Sequence, residues 1–214
     1  MAFSPDGLHW SELVPCPAID AAGDTHNNSL WHQRLGRYVG ITRLWRDGQR
    51  IVGRTESPDF VNWTKAAEAL RGVERHLQTY AMPVFRYANV YLGLVMVFDT
   101  QSDLVDCELA WSPDTVHWER VCPGTSLIPR GAKGSHDWGC VYAAAYPILR
   151  DGELLLYYSG SDGPHTDWRK GSLCLARLRP DGFAGLRPKA ADQPGTVTTR
   201  PVICSGKHLR LSAD

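Results

Sequence analysis

The stretch Ser57-Pro58-Asp59-Phe60-Val61-Asn62-Trp63 sets the organisation of this chain, because it recurs with a fixed spacing. Two further copies are Ser4-Pro5-Asp6, leading to Trp10, and Ser112-Pro113-Asp114, leading to Trp118. In all three copies the Trp stands six residues after the Ser, and the copies begin 53 and 55 residues apart. Internal repeats of about 50 residues punctuated by turns are typical of β-propeller blades.

The residue types of the repeat have a physical role. Pro and Asp favour a tight turn between two strands, in which the Asp side chain accepts hydrogen bonds from nearby backbone N–H groups. The Trp that follows is expected to pack between neighbouring sheets. A weaker fourth copy, Arg179-Pro180-Asp181-Gly182-Phe183, begins 67 residues after the third.

Strand-like segments fill each period in four short runs, with Asp47-Gly48 and Asp151-Gly152 as hairpin turns. We therefore predict an all-β protein, a β-propeller of four-stranded antiparallel blades in one domain over residues 1–214. Three blades are expected to be complete, the first ending on Asn62–Lys65 and the third on Phe183–Leu186. Strands at the chain ends should form a fourth, mixed blade: two in Ala2–Val14, then Thr196–Cys204 and His208–Ser212.

Composition narrows the class of partner. The 214 residues include 23 basic and 23 acidic side chains, so the formal charge is zero and we expect neither nucleic acid nor an anionic membrane as a partner. No apolar run reaches the roughly 18 residues of a membrane span, and no signal peptide is visible. The six Cys are scattered without a C-x-x-C pair, which indicates reduced thiols and a cytoplasmic location.

Four elements together carry a family resemblance. They are Gly23-Asp24-Thr25-His26-Asn27-Asn28, Gly36-Arg37-Tyr38-Val39-Gly40 with Thr42-Arg43, Arg54-Thr55-Glu56-Ser57-Pro58-Asp59-Phe60 with Trp63, and Asp181-Gly182-Phe183. The chain resembles bacterial relatives of the five-bladed propeller glycoside hydrolases, the invertase and arabinanase superfamily. The resemblance implies a propeller with a funnel-shaped site on its axis, and a sugar-processing reaction.

One departure from that superfamily affects the expected site. Its enzymes take three carboxylates from successive blades, whereas this chain begins inside what would be the second blade. We therefore expect a relative shortened from the five-bladed type, which closes differently or completes its ring by association. A homodimer is the expected assembly, since open sheet edges tend to pair.

In a propeller, the loops that enter the innermost strands and those between second and third strands meet at one axial mouth. On that frame we predict Asp24, Glu108 and Asp137 as catalytic carboxyls, with Glu108 as the acid. Structural roles are open for Asp24, as a loop cap, and for Glu108, as half of a salt bridge. The predicted substrate-binding residues are Asn27, Arg43, Tyr80, Trp138 and Arg200.

Two other functions stay open. His26, His136 and His165 with Asp24 could hold a divalent ion such as Zn, Mn or Ca, which would activate water against an ester or phosphoester. Alternatively, aromatic side chains at the mouth could stack a sugar without turnover, as in a carbohydrate-binding module. The leading prediction is a hydrolase that cleaves a glycoside with Asp and Glu side chains.

Overall fold

The computed structural model describes residues 2–14, 21, 24–201, 203 and 206–208. These residues form strands and turns and include no helix, and so none that could cross a membrane. The thirteen strands are β1 (Asn28–His32), β2 (Arg37–Arg46), β3 (Gln49–Ser57), β4 (Ala67–Leu70), β5 (Leu77–Ala81), β6 (Val84–Tyr87), β7 (Val90–Asp99), β8 (Leu104–Ser112), β9 (Glu119–Ile128), β10 (Cys140–Ala143), β11 (Ile148–Arg150), β12 (Glu153–Ser161) and β13 (Gly171–Leu178).

The chain divides into two compact units, Met1–Phe183 and Ala184–Asp214. All thirteen strands lie in the first unit. The described residues of the second unit form turns and irregular chain. One domain over residues 1–214 stays a prediction.

The first sheet contains β1, β2, β3 and β4 in chain order, each strand antiparallel to the next. Its central hairpin turns at Asp47 and Gly48, whose φ angles are +54° and +73°. Left-handed conformations at both positions match the right-handed twist of the flanking strands, and Asp and Gly tolerate them. The predicted hairpin is confirmed, as is the one at Asp151-Gly152, with φ angles of +52° and +78°.

The second sheet has nine strands, arranged as two antiparallel meanders. In one, β5 and β6 both pair with β7, which is followed by β8 and β9. In the other, β10 and β11 both pair with β12, which is followed by β13. A single parallel pair, Cys140 with Val105, joins the two meanders. The innermost strand of each meander is therefore interrupted.

The three Ser-Pro-Asp copies fold into the same turn, as the sequence predicts. In the middle copy, Asp59 Oδ1 accepts hydrogen bonds from the backbone N–H groups of Val61 and Asn62, at 2.9 and 2.7 Å. Trp63 Nε1 donates to the Phe60 carbonyl at 3.1 Å. The residue after the Asp is left-handed in every copy: Gly7, Phe60 and Thr115, with φ of +77°, +67° and +68°. In the fourth copy Asp181 itself is left-handed, and its carboxylate accepts a hydrogen bond from the Tyr87 hydroxyl at 2.9 Å.

Two predicted outer strands are wrong. The outer strand of the first sheet is Ala67–Leu70 and not Asn62–Lys65, because Asp59 holds the backbone of residues 61 and 62 in the turn. Residues 183–186 form no strand. There the Phe183 ring packs against the Tyr87 ring, with centroids 4.9 Å apart, so the chain leaves the sheet at this point.

The fourth, mixed blade is not formed by the described residues. Ala2–Val14 contains no strand: a backbone bond from Ser11 to Phe3 closes a loop around the first repeat, and Trp10 is 62% exposed. Without a sheet to pair with, this segment makes a turn only. Residues 196–201 are also without strand, and the rest of the predicted closing strands falls largely outside the described residues.

The core consists of two apolar layers, one on each face of the β5–β9 meander. Strand β7 contributes to both layers, because the side chains of a strand alternate between its two faces. Leu94 and Met96 pack with residues of the β10–β13 meander, whereas Val95 and Val97 pack with residues of the first sheet. The stacked sheets bring their strand ends together, and these ends position the candidate site.

The described cysteines agree with the expectation of free thiols. Cys107, Cys140 and Cys174 are buried, and Cys122 is exposed. Burial raises the pKa of the Cys107 thiol to about 12. That thiol is part of the apolar core.

Candidate functional site

The strand registers bring loops from all three strand groups to one end of the stacked sheets, which we call the mouth. The first residues of β5 and β10 pair with the last residues of β7 and β12, Leu77 with Asp99 and Cys140 with Ser161. The first residue of β1, Asn28, pairs with Ile41 in the middle of β2. Contacts between sheets join the same ends. Thr25 Oγ1 donates to the Tyr80 carbonyl at 3.2 Å, for example.

Two arginines stand at the mouth, and we call Arg43 and Arg50 the arginine pair. Arg43 lies near the end of β2 and Arg50 near the start of β3. Their guanidinium carbons lie 4.8 and 5.6 Å from the centroid of the Tyr80 ring, and 5.8 and 4.5 Å from that of Trp45. Both cations therefore interact with the same two aromatic faces.

Asp24 reaches the arginine pair from the solvent side. Its Oδ1 accepts a hydrogen bond from Arg43 Nη2. The Asp24 side chain is 91% exposed, whereas that of Arg43 is 3% exposed. Thr42 Oγ1 donates to Asn27 Oδ1 at 2.7 Å, which ties the following residues to β2. The predicted residues Asp24, Arg43 and Tyr80 therefore come together, while the amide oxygen of Asn27 serves to hold the loop.

Two imidazoles flank Tyr142 in the same region. The Tyr142 hydroxyl and His165 Nδ1 share a hydrogen bond of 2.7 Å, and the His165 ring centroid lies 4.9 Å from that of Tyr80. The His26 ring lies 6.0 Å from the Tyr142 ring. Burial lowers the pKa of both imidazoles, and Arg169 lowers that of His165 further. The lowered pKa favours the neutral form of both rings.

A cavity of about 340 Å³ opens beside these rings. Residues from the entrance to β1, from the break between β5 and β6, and from β10, β12 and β13 line it: His26, Asn27, Asn28, Pro83, Tyr142, Ala143, Ala144, Ala145, Tyr157, Tyr158, Ser159 and Leu173. The cavity therefore draws on all three strand groups, and its volume lies in the range of small-molecule pockets.

Asp137 lies one hydrogen bond away from this cavity. The Tyr158 hydroxyl donates to its Oδ2 at 2.9 Å, and Ser135 Oγ donates to its Oδ1 at 2.9 Å. Burial raises the pKa of the Asp137 carboxyl, but these two bonds and His136 outweigh burial, so its pKa is below the ordinary value. Asp137 is thus a buried, ionised carboxylate that fixes the Tyr158 hydroxyl.

Glu108 is placed differently from the prediction. It lies in the middle of β8, opposite Val95, and is buried. Its Oε2 accepts from Arg120 Nη2, and its Oε1 accepts from the Gly124 backbone N–H at 3.1 Å. Among the described contacts none joins Glu108 to Asp24 or to the arginine pair. Glu108 therefore forms a buried ion pair with Arg120, which is the structural role that the sequence left open for it.

Trp138, another predicted binding residue, contacts residues outside the cluster. The Trp138 carbonyl accepts a hydrogen bond from Arg130 Nη1 at 2.8 Å, and its ring faces Lys133 at 6.0 Å. Arg200 belongs to the second unit and is exposed. Its role in binding stays a prediction.

The predicted metal ligands do not converge. Among the described residues, no group of three or more His, Cys, Asp or Glu side chains is placed to hold a metal ion. His26 and His165 both lie near Tyr142. The His136 side chain, however, is 62% exposed and lies against Asp137, with Nε2 and Oδ2 3.8 Å apart. The ligand set of His26, His136, His165 and Asp24 is therefore not assembled in this geometry.

Sequence reasoning missed Tyr142 and Tyr158 as site residues. One signal could have identified Tyr142. It is the third residue of the innermost strand β10, and Tyr80 is the fourth residue of the innermost strand β5. Tyr158 offers no such signal, because its role depends on a hydrogen bond to Asp137, 21 residues away.

Comparison with known proteins adds the fold class. No family model and no curated protein matches the sequence. An N-acetylgalactosamine deacetylase from F. plautii, solved with blood group B trisaccharide, is 15% identical, with a TM-score of 0.59 over 76% of this chain and 52% of that chain. A family 117 glycoside hydrolase from the marine bacterium Zobellia galactanivorans is 15% identical, with a TM-score of 0.56 over 73% of this chain and 52% of that one.

A third similar structure is the β-1,2-mannobiose phosphorylase from Listeria innocua in complex with β-1,2-mannobiose. It is 17% identical, with a TM-score of 0.52 over 69% of this chain and 39% of that one. The fold is thus that of the propeller-type glycoside hydrolases, as the sequence resemblance implied. The chain spans about half the length of the first two of these structures and less of the third.

Proposed function

We propose that this chain acts on carbohydrate as a glycoside hydrolase, with its site at the mouth. One observation carries the proposal: Asp24, the arginine pair, Tyr80 and Tyr142 converge from three strand groups, and Tyr142 also lines the cavity of about 340 Å³. Aromatic faces and a few polar groups around a concave site are typical of small-molecule pockets. The similar structures named above include a glycoside hydrolase and two proteins solved with bound saccharides.

Asp24 is the catalytic carboxylate in this proposal. Its side chain is exposed to a ligand, while the hydrogen bond from buried Arg43 fixes its orientation and favours its negative charge. These properties suit a nucleophile or a base that activates water. Asp137 is the second carboxyl that we propose, because Tyr158 connects it to the cavity.

A carbohydrate-binding protein without turnover is the second candidate. A specific observation favours it: among the described residues, Asp24 is the carboxylate bonded into the mouth cluster, whereas Glu108 is engaged by Arg120. Glycoside hydrolysis normally uses two carboxyl groups. The third candidate, a metal-dependent esterase or phosphoesterase, has weaker support because its predicted ligands do not converge.

One experiment separates these functions. The purified full chain is analysed for bound metal and is then assayed on aryl glycosides and aryl phosphoesters, with and without a chelator. We expect glycoside turnover that the chelator leaves unchanged. Saccharide binding without turnover would favour the second candidate. Stoichiometric metal with chelator-sensitive phosphoester turnover would favour the third.

A further inference from the structure

The arginine pair carries more positive charge than its described surroundings neutralise. Arg43 forms an ion pair with Asp24. Arg50 donates instead to the neutral amide oxygen of Gln78, at 2.9 Å from Nη1, and forms no ion pair within the described part of the chain. Arg169, which donates to the His165 carbonyl, adds a further cation to this region. Among the described residues, one guanidinium at the mouth therefore has no carboxylate paired with it.

The unmatched charge is also poorly solvated. The Nε atoms of Arg43 and Arg50 are both buried and have no hydrogen-bond partner in the structure. Burial lowers the pKa of Arg50, and the neighbouring charge of Arg43 lowers it further. Buried donors without partners cost free energy, and in native structures such groups usually meet water or a ligand.

The shape of the site selects the kind of anion. Trp45 and Tyr80 lie against the guanidinium groups, and Arg50 is only partly buried. Its Nε is buried and its Nη1 donates to Gln78, so the Nη end of the guanidinium is the part left for a ligand. The edge of a guanidinium presents parallel N–H donors, which match the two oxygens of a carboxylate or a sulfate. The ligand group that fits carries a single negative charge.

Building on the proposed function, we propose that the arginine pair is a subsite for an anionic substituent of the bound sugar, with Arg50 as its ion-pair partner. The substituent is the carboxylate of a uronic acid or a sulfate ester. Asp24 remains the partner of Arg43, so the two arginines bind one protein carboxylate and one ligand anion. The substrate class is therefore an acidic saccharide.

Titration calorimetry on the full chain tests this subsite. The probes are galactose, galacturonic acid and galactose 6-sulfate, and the corresponding glucose series, with wild type and Arg50→Gln. The matched control is Arg46→Gln. Arg46 is an exposed arginine of the same hairpin, and it forms an ion pair with Glu68 at 3.4 Å. We expect one acidic form to bind about tenfold or more tightly than its neutral parent, the size of one charge-assisted hydrogen bond. Arg50→Gln should abolish that preference and Arg46→Gln should retain it.

The acidic form that binds identifies the substituent as carboxylate or sulfate. Equal binding of neutral and acidic sugars, or a preference that survives in Arg50→Gln, overturns the subsite while the carbohydrate function stands. If no sugar binds, the proposed function fails, and melting in inorganic sulfate decides the subsite separately. A rise in Tm that Arg50→Gln loses supports an anion site, and an equal response of both proteins overturns it.

Discussion

A Cβ atom placed on Gly40 would lie 2.8 Å from Cζ3 of Trp63, so the indole of the repeated turn packs directly on the backbone of β2. The same relationship joins Gly93 and Trp118 in the next group of strands, at 3.2 Å. In both groups of strands, the recurring Trp therefore packs on a glycine of the strand next to the innermost one. Trp10 of the first copy is exposed.

Gly40→Ala is expected to destabilise the protein by about 1–3 kcal/mol, the usual cost of overpacking a filled site. The added methyl group would also meet Thr55 Cγ2 at 2.9 Å, so it has little room to relax. Gly171→Ala is the matched control, because its nearest atom would be Ser159 Oγ at 4.0 Å. Urea denaturation measures both, and equal stability of the two variants would show that the Trp63 contact is loose.

Glu108→Gln is expected to cost about 3–5 kcal/mol of stability, because it leaves the buried guanidinium of Arg120 without its anion. The control is Glu153→Gln, whose exposed ion pair with Arg177 spans 2.7 Å and should contribute less than about 1 kcal/mol. Chemical denaturation gives both values. A stable Glu108→Gln protein without turnover would instead return Glu108 to the catalytic role that the sequence suggested.

The free energy of unfolding is expected to fall as the pH drops below about 6.5, because His26 and His165 take up protons more readily in the unfolded chain. Burial lowers the pKa of both imidazoles from 6.5 in the folded state. The unfolded chain therefore binds protons that the folded chain does not, and stability is lost from pH 6.5 down to the folded pKa values. The free energy of unfolding, measured between pH 7.5 and 5, should depend less on pH in the His26→Gln and His165→Gln double variant. An unchanged pH dependence, equal to that of the control His208→Gln, would contradict this assignment.

We expect a homodimer of the full chain. The strand β13 pairs with β12, and in the described residues its other edge has no partner strand; its Leu173 side chain is 85% exposed. Open edges with apolar side chains favour association, and a stable pair needs roughly 1,000 Å² of buried surface or more. Light scattering at micromolar concentration tests this expectation. A mass near the 23.8 kDa of one chain would show that it is monomeric.

The turns of this fold could be predicted from the sequence because they depend mainly on residues that are neighbours in the chain. Asp59 bonds to residues two and three positions ahead, and the left-handed conformations of Asp47 and Gly48 form the tight hairpin. The outer strand of the first sheet was predicted too early in the chain, because the sequence pattern did not show that this turn extends over residues 61 and 62. The interruption of the inner strand at Met82 and Pro83, between β5 and β6, was also missed.

The site was only partly predictable because its partners are distant in sequence. The propeller frame predicted Asp24, Arg43 and Tyr80 at one mouth, and in the structure Arg43 contacts both of the other two side chains. For Glu108, alternation along β8 indicated a face but could not identify Arg120 as the partner, 12 residues away. The bond between Tyr142 and His165 spans 23 residues and depends on how β10 meets the loop after β12.

The most direct test of a carbohydrate-active mouth is the turnover of Asp24→Asn per folded molecule, measured on the best glycoside substrate of the wild-type chain. Because the Asp24 side chain is exposed and packs little against the core, the melting temperature of the Asp24→Asn protein should stay within a few degrees of that of the wild type. We predict that turnover is abolished while the protein stays folded. A folded Asp24→Asn protein that retains wild-type turnover would contradict the assignment of this site.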